Sequence, residues 1–124
     1  MTSLELDTHS AKYIIRAYQP GCIRVNDQDY HESLIITPEH LTYPWGPKNV
    51  AELSSEHLKI FIEIHPEILL IGTGETQSLL PISLYGDLIN HGIGVEMMST
   101  RSACYTYNAL VAEKRHVAAA LIAR

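Results

Sequence analysis

The apolar positions of this chain fall into two regimes. Over residues 12–45 they come in short runs separated by turn residues. Residues 12–18 are rich in β-formers and predict a strand, and Gln19-Pro20-Gly21 is a turn signal. Cys22-Ile23-Arg24-Val25 alternates apolar and polar positions as a half-buried strand does. Asn26-Asp27-Gln28-Asp29 supplies further turn chemistry, and the next strand is expected over residues 30–37, ending at Pro38. These pieces predict an antiparallel meander. A short strand over 40–45 follows and is closed by Pro44-Trp45-Gly46-Pro47.

From Ser54 onward, helical periods alternate with strand-length apolar runs. Ser54 is a good N-cap, Glu56 lies in the first turn, and Leu53 with Leu58 would form a hydrophobic staple. That first helix is expected to run to Ile64, where His65-Pro66 stops it. Residues 67–72 form the continuous apolar run of a strand covered on both faces. A second helix is predicted over 79–90, with Pro81 in its first turn and Gly92 at its end. A strand over 94–98 follows, then a third helix over 101–114 whose last turn would carry Lys114 with Arg115 next to it. A final strand over 117–122 has three alanines at its centre.

The order predicts the α/β fold class: a single three-layer domain, an N-terminal antiparallel meander plus a mixed β-sheet with about three helices packed on it, over residues 12–124. Residues 1–11 read as a loose lead-in. The two strand-loop-helix units would place both exit loops on one edge of the sheet, where open α/β sheets usually bind ligands.

Size and charge narrow the classes. At 124 residues, 46% hydrophobic and 19% charged, the chain is long enough to bury a core without a disulfide or metal. A net charge of -5 with scattered basic residues argues against a nucleic-acid binder. The two cysteines, Cys22 and Cys104, read as reduced. The N-terminus has neither a secretory nor a transit pattern, and no apolar run approaches the ~18 residues of a membrane span. The expectation is a cytoplasmic protein with no cofactor and no metal. The histidines form no metal motif.

The candidate chemistry concentrates at the two exit loops, and no complete catalytic constellation is present. Gly72, Thr73, Gly74 and Glu75 read either as a tight strand-to-helix turn or as a ligand-facing loop whose amides bind an anion. The third glycine of a dinucleotide fingerprint and the Gly-Lys-Ser/Thr of a P-loop are both missing. In Ser99-Thr100-Arg101-Ser102 any of the hydroxyl residues suits the N-cap. Arg101 opposes the helix dipole there, so it needs an acidic partner such as Glu75 or Glu113, a small bound anion, or solvent. Cys104, one turn in, is a thiolate candidate by its helix position and a buried inert residue by type. Asn108 shares the face of Arg101 and Cys104 and is expected to bond backbone at the edge of a buried stripe. Trp45 is a candidate partner contact or a cover for the core.

The residues of the second half also carry a resemblance. Pro66-Glu-Ile-Leu-Leu-Ile-Gly-Thr-Gly74, Gly92-Ile-Gly-Val-Glu-Met-Met-Ser-Thr-Arg-Ser-Ala-Cys-Tyr-Thr-Tyr-Asn-Ala-Leu110 and Glu113-Lys-Arg-His-Val-Ala-Ala-Ala-Leu121 are similar to a family of small α/β proteins. That family includes the mitochondrial complex I assembly factor three and many prokaryotic relatives. Ser33-Leu-Ile-Ile-Thr-Pro38 and Trp45 look like its first half. The resemblance implies a three-layer α/β fold around a mixed sheet and, from the mitochondrial member, a protein partner during assembly of the respiratory NADH dehydrogenase. The lack of an import sequence implies a bacterial, cytoplasmic member. Two functions stay open: a non-enzymatic protein-binding module, or a small-molecule or anion binder or enzyme using a pocket between residues 72–75 and 100–108.

Overall fold

The computed structural model describes residues 11–124. The lead-in expected over residues 1–11 therefore lies, Ala11 apart, outside the described residues. β1 (Ile15–Gln19), β2 (Cys22–Val25) and β3 (Gln28–Tyr30) form the predicted meander as a three-stranded antiparallel sheet. The strand expected over 30–37 is divided. Tyr30 pairs with Ile23 in the small sheet, whereas β4 (Leu34–Ile36) pairs with residues 119–121 in a second sheet. His31 and Glu32 are exposed between them, and the buried Ser33 accepts the Ala123 N–H at 3.1 Å. The chain changes sheets at that point. β5 (Leu41–Thr42) is shorter than the expected 40–45.

The second sheet has five strands in the order β5-β4-β8-β6-β7, with β6 at Ile68–Gly72, β7 at Gly94–Met98 and β8 at Val117–Leu121. β8 runs parallel to β6, which runs parallel to β7, while β4 is antiparallel to both β5 and β8. The central position of β8 explains its composition. Ala118, Ala119 and Ala120 are fully buried, and their short side chains let layers on both faces approach the backbone closely.

One face of this sheet is covered by α1 (Ser55–Leu58), α2 (Ile60–Ile64) and α3 (Ile82–Asn90). Leu58, Phe61 and Leu88 pack there on Leu69, Ile71, Ala118 and Ala120. The expected first helix is realised as α1 and α2, joined through Lys59, which keeps helical angles (φ −61°, ψ −31°). Ser54 is its N-cap, Leu53 and Leu58 share the core cluster, and His65 ends it at φ 50°. α3 starts later than predicted, because Pro81 has an extended ψ of 146° and caps the helix instead of entering its first turn. The other face carries α4 (Thr100–Ala112) alongside the small sheet, whose Ile15, Ile23 and Val25 join Ala103, Tyr107 and Val111 over Leu34, Leu70 and Ala119. The third helix ends before the cations expected at its close. Lys114 turns left-handed at φ 62°, and the amides of Lys114 and Arg115 take the carbonyls of Val111 and Leu110.

Candidate functional site

The two exit loops meet at one end of the five-stranded sheet, and they close on each other. The Thr73 N–H donates to the Met98 carbonyl at 2.8 Å, and the Gly74 N–H donates to Thr100 Oγ1 at 2.9 Å. The Thr100 hydroxyl in turn donates to the Ile122 carbonyl at 2.6 Å, while its own N–H reaches the Gly74 carbonyl at 2.8 Å. Thr73 Oγ1 donates to the Thr76 carbonyl and accepts the Ser78 N–H. Thr100 is fully buried at the centre of this knot. The amides of Thr73 and Gly74 that an anion would need are thus engaged, and the expected pocket between residues 72–75 and 100–108 is replaced by direct packing.

The glycines serve that packing. A Cβ on Gly72 would stand 2.9 Å from Thr100 Cα, and one on Gly74, whose φ is +103°, would fall on the Arg124 carbonyl oxygen. The glycine pair therefore serves a tight turn off β6 with close backbone approach, but not a strand-to-helix turn, since α3 begins only at Ile82. Among the hydroxyl candidates, Ser99 is the N-cap of α4 and accepts the Ser102 N–H at 3.3 Å. Thr100, adjacent in sequence, points the other way and ties three strand ends together.

The opposite flank of α4 faces β1. Asn108 Oδ1 accepts the Ile15 N–H at 3.0 Å, and its Nδ2 donates to the Ile15 carbonyl at 2.6 Å. One side-chain amide thus pairs both backbone groups of an edge-strand residue, as a neighbouring strand would. Tyr107, fully buried, adds a hydrogen bond from its hydroxyl to the Tyr13 carbonyl at 2.9 Å. Asn108 does bond backbone, as its position on the helix face implied.

Between these anchors and the start of α4 lies a cleft of about 300 Å³, lined by Arg16, Tyr18, Arg101, Cys104, Tyr105 and Asn108 among others. The Arg101 guanidinium sits 5.2 Å from the centroid of the Tyr18 ring. It makes no ion pair with Glu75 or Glu113. Glu113 lies beyond the far end of the helix, and Glu75 bears on Tyr18 through its field. Burial pushes the Cys104 thiol up to about 12, with Arg101 pulling the other way. A thiol held neutral is no nucleophile at physiological pH. Tyr18 is also raised, by burial first and then by Glu75 and Cys104, against Arg101. Its hydroxyl oxygen is buried without a hydrogen-bond partner.

Trp45 lies apart from this region. Its Nε1 donates to the His57 carbonyl at 3.2 Å, its ring meets the His57 ring edge-on, and it packs against the helix-side core. It is half-buried and covers the core. Among the described residues no group of three or more His, Cys, Asp and Glu is placed to hold a metal ion. Arg16, Tyr18 and Tyr105 also line the cleft and are not among the residues that the sequence pattern singles out. The first two sit on β1, and their approach to α4 depends on a contact 93 residues apart in the chain, which local periodicity does not encode. Tyr105, at 71% exposed, was a large aromatic on the polar side of a helix, and that was the available signal.

Residues 15–122 match the family described as protein of unknown function DUF498/DUF598. The chain belongs to that family. The resemblance read from residues 66–121 is therefore borne out. Among curated relatives, the 13 kDa major membrane protein of Francisella tularensis subsp. holarctica is 32% identical over 98% of this chain and 100% of its own length. The NADH dehydrogenase [ubiquinone] 1 alpha subcomplex assembly factor 3 of Danio rerio is 33% identical over 91% of this chain, which spans 66% of that protein. A crystal structure from Bordetella parapertussis superposes with a TM-score of 0.86 at 35% identity, covering 92% of this chain and 98% of the other. No helix among the described residues is long and apolar enough to cross a membrane.

Proposed function

We propose that this family member is a non-enzymatic, protein-binding module that acts as an assembly factor for a respiratory NADH dehydrogenase in the bacterial cytoplasm. The observation that carries the reading is the match to assembly factor 3 across nearly the whole fold. The geometry supports it in two ways. The loop that would hold a phosphate is closed on Thr100, and the cysteine beside it is a neutral, buried thiol. The α3 side of the molecule also presents Leu79, Ile82 and Ile89 at 84%, 63% and 46% exposure. Ile82 and Ile89, seven residues apart, share a helix face. An apolar stripe of this kind beside charged residues suits the core of a protein interface.

The test is affinity capture with the tagged full chain from its native organism, alongside Ile82→Asp. The reading expects NADH dehydrogenase subunits to be enriched with the wild-type chain and lost with the variant, while the variant's melting temperature stays unchanged. Absence of such subunits, together with normal NADH dehydrogenase activity in a deletion strain, would overturn it. Fractionation of the same cells places the protein: recovery in the soluble fraction is expected, and recovery in washed membranes refutes the cytoplasmic assignment.

A further inference from the structure

We propose that the cleft between β1 and the first two turns of α4 binds a small oxyanion, a carboxylate or a phosphate, carried on a flat organic body. This goes beyond the assembly reading and does not depend on it. The first argument is charge. In a chain of net charge -5, cations are expected to find acids. Arg24 pairs with Asp29, Arg115 with Glu67 and Lys59 with Glu56. Arg16 and Arg101, like Lys12, Lys48 and Arg124, have no acidic partner among the described residues, and of these five only Arg16 and Arg101 line this cleft. Arg101 is held there against the helix dipole by the face of Tyr18. Two arginines at one cleft supply guanidinium donors of the kind that bind planar oxyanions.

The second argument is the lining. Tyr18 and Tyr105 supply aromatic faces, and the cleft holds about 300 Å³, the lower end of the range for small-molecule sites. The buried, unpartnered Tyr18 hydroxyl belongs to the same residue cluster, and buried polar groups without a partner call for one. Asn108 is committed to Ile15 at both ends of its amide, so it forms wall and does not compete for the anion. Cys104 is a neutral neighbour. Glu75, whose charge would oppose an anion, is not among the residues lining the cleft. No covalent step is invoked.

The experiment is a two-dimensional amide NMR titration of the full chain with benzoate, phenyl phosphate and benzamide as probes. Benzoate and phenyl phosphate carry the two oxyanions on one flat ring, and benzamide keeps the ring without the charge. The proposal expects saturable shifts from at least one of the two anions at the amides of Ile15, Ala17, Tyr18 and the first two turns of α4. It expects benzamide to bind about tenfold more weakly or worse, the factor for one lost charge-assisted hydrogen bond. Arg16→Gln and Arg101→Gln should each weaken the anion about tenfold. Both side chains are exposed, so the melting temperature of each variant should stay at the wild-type value. Shifts that do not saturate, shifts located elsewhere, an equal response to benzamide, or binding unchanged in both variants would each overturn the proposal.

Discussion

Replacing Thr100 with valine tests whether the knot at the sheet end is held by its hydroxyl. The two side chains are nearly isosteric, so packing around this fully buried position is kept and only hydrogen bonding changes. The hydroxyl accepts from Gly74 N–H at 2.9 Å and donates to the Ile122 carbonyl at 2.6 Å. Valine leaves both groups buried without this partner. Each orphaned group costs about 1–3 kcal/mol, so the expected loss is about 2–6 kcal/mol. That is a large part of the roughly 5–15 kcal/mol that holds a domain together. Thr100→Ser keeps the hydroxyl and removes one methyl, which costs about 1 kcal/mol. Urea denaturation followed by circular dichroism measures both. With slopes of about 1–3 kcal/mol per molar, Thr100→Val should lower the midpoint by about 0.7 M or more, about two- to sixfold further than Thr100→Ser. Valine and serine variants of equal stability would refute the hydrogen-bond argument and leave packing as the role of Thr100.

Three further outcomes follow from the α4 flank. Asn108→Leu should destabilise the protein by about 2–4 kcal/mol, since it strips both backbone groups of Ile15 of a partner; hydrogen exchange should rise first in β1 and β2, and uniform acceleration across β6 and β8 would contradict a local anchor. Cys104 is raised from 9.0 to about 12 by burial, so the unfolded chain releases that proton first as pH climbs. The stability present below pH 9 is then lost between pH 9 and 12. Tyr107 and Tyr18 are raised as well and add losses of the same sign at higher pH. Cys104→Ala should flatten the pH dependence of the urea midpoint over that window, and iodoacetamide should modify the half-buried Cys22 before Cys104 in the folded protein; early labelling of Cys104 would sink the burial argument.

Much of the second half was legible because its strands are short, largely apolar segments bounded by glycine, proline or polar punctuation. The strand at 94–98 agrees residue for residue, and Gly92 with a positive φ marks the end of the helix before it. The first half was harder. Tyr30 and Leu34 belong to different sheets, and the polar His31-Glu32-Ser33 between them carries no glycine or proline to mark the break. Of the residues singled out in the sequence, Arg101, Cys104 and Asn108 line the cleft, whereas Gly72, Thr73, Gly74, Glu75, Thr100 and Trp45 do not. The sequence did not show that Thr100 would fill the space beside Gly74, because a threonine near a helix start looks like a cap. The glycines held the clue: Gly72 and Gly74 are needed where something approaches closely, and Thr100 is what approaches. The cleft beyond Arg101 needed β1, and no local pattern joins residue 15 to residue 108.

The strand order also sets a timetable. β8 lies between β4 and β6, so the five-stranded sheet is bridged by the last of the eight strands among the described residues. Until residues 117–121 have been translated, β4 has only the two-residue β5 beside it, and one edge of β6 stays open. Leu69, Leu70 and Ile71 must wait in solvent or in non-native contacts during that interval. Exposed apolar strand edges in nascent chains are prone to aggregate. The helices can form on the ribosome, but the sheet cannot close there before β8 emerges. An arrest during synthesis upstream of Val117 would therefore strand the chain in its most association-prone form, and a holding chaperone would be needed until residues 117–121 are free to pair.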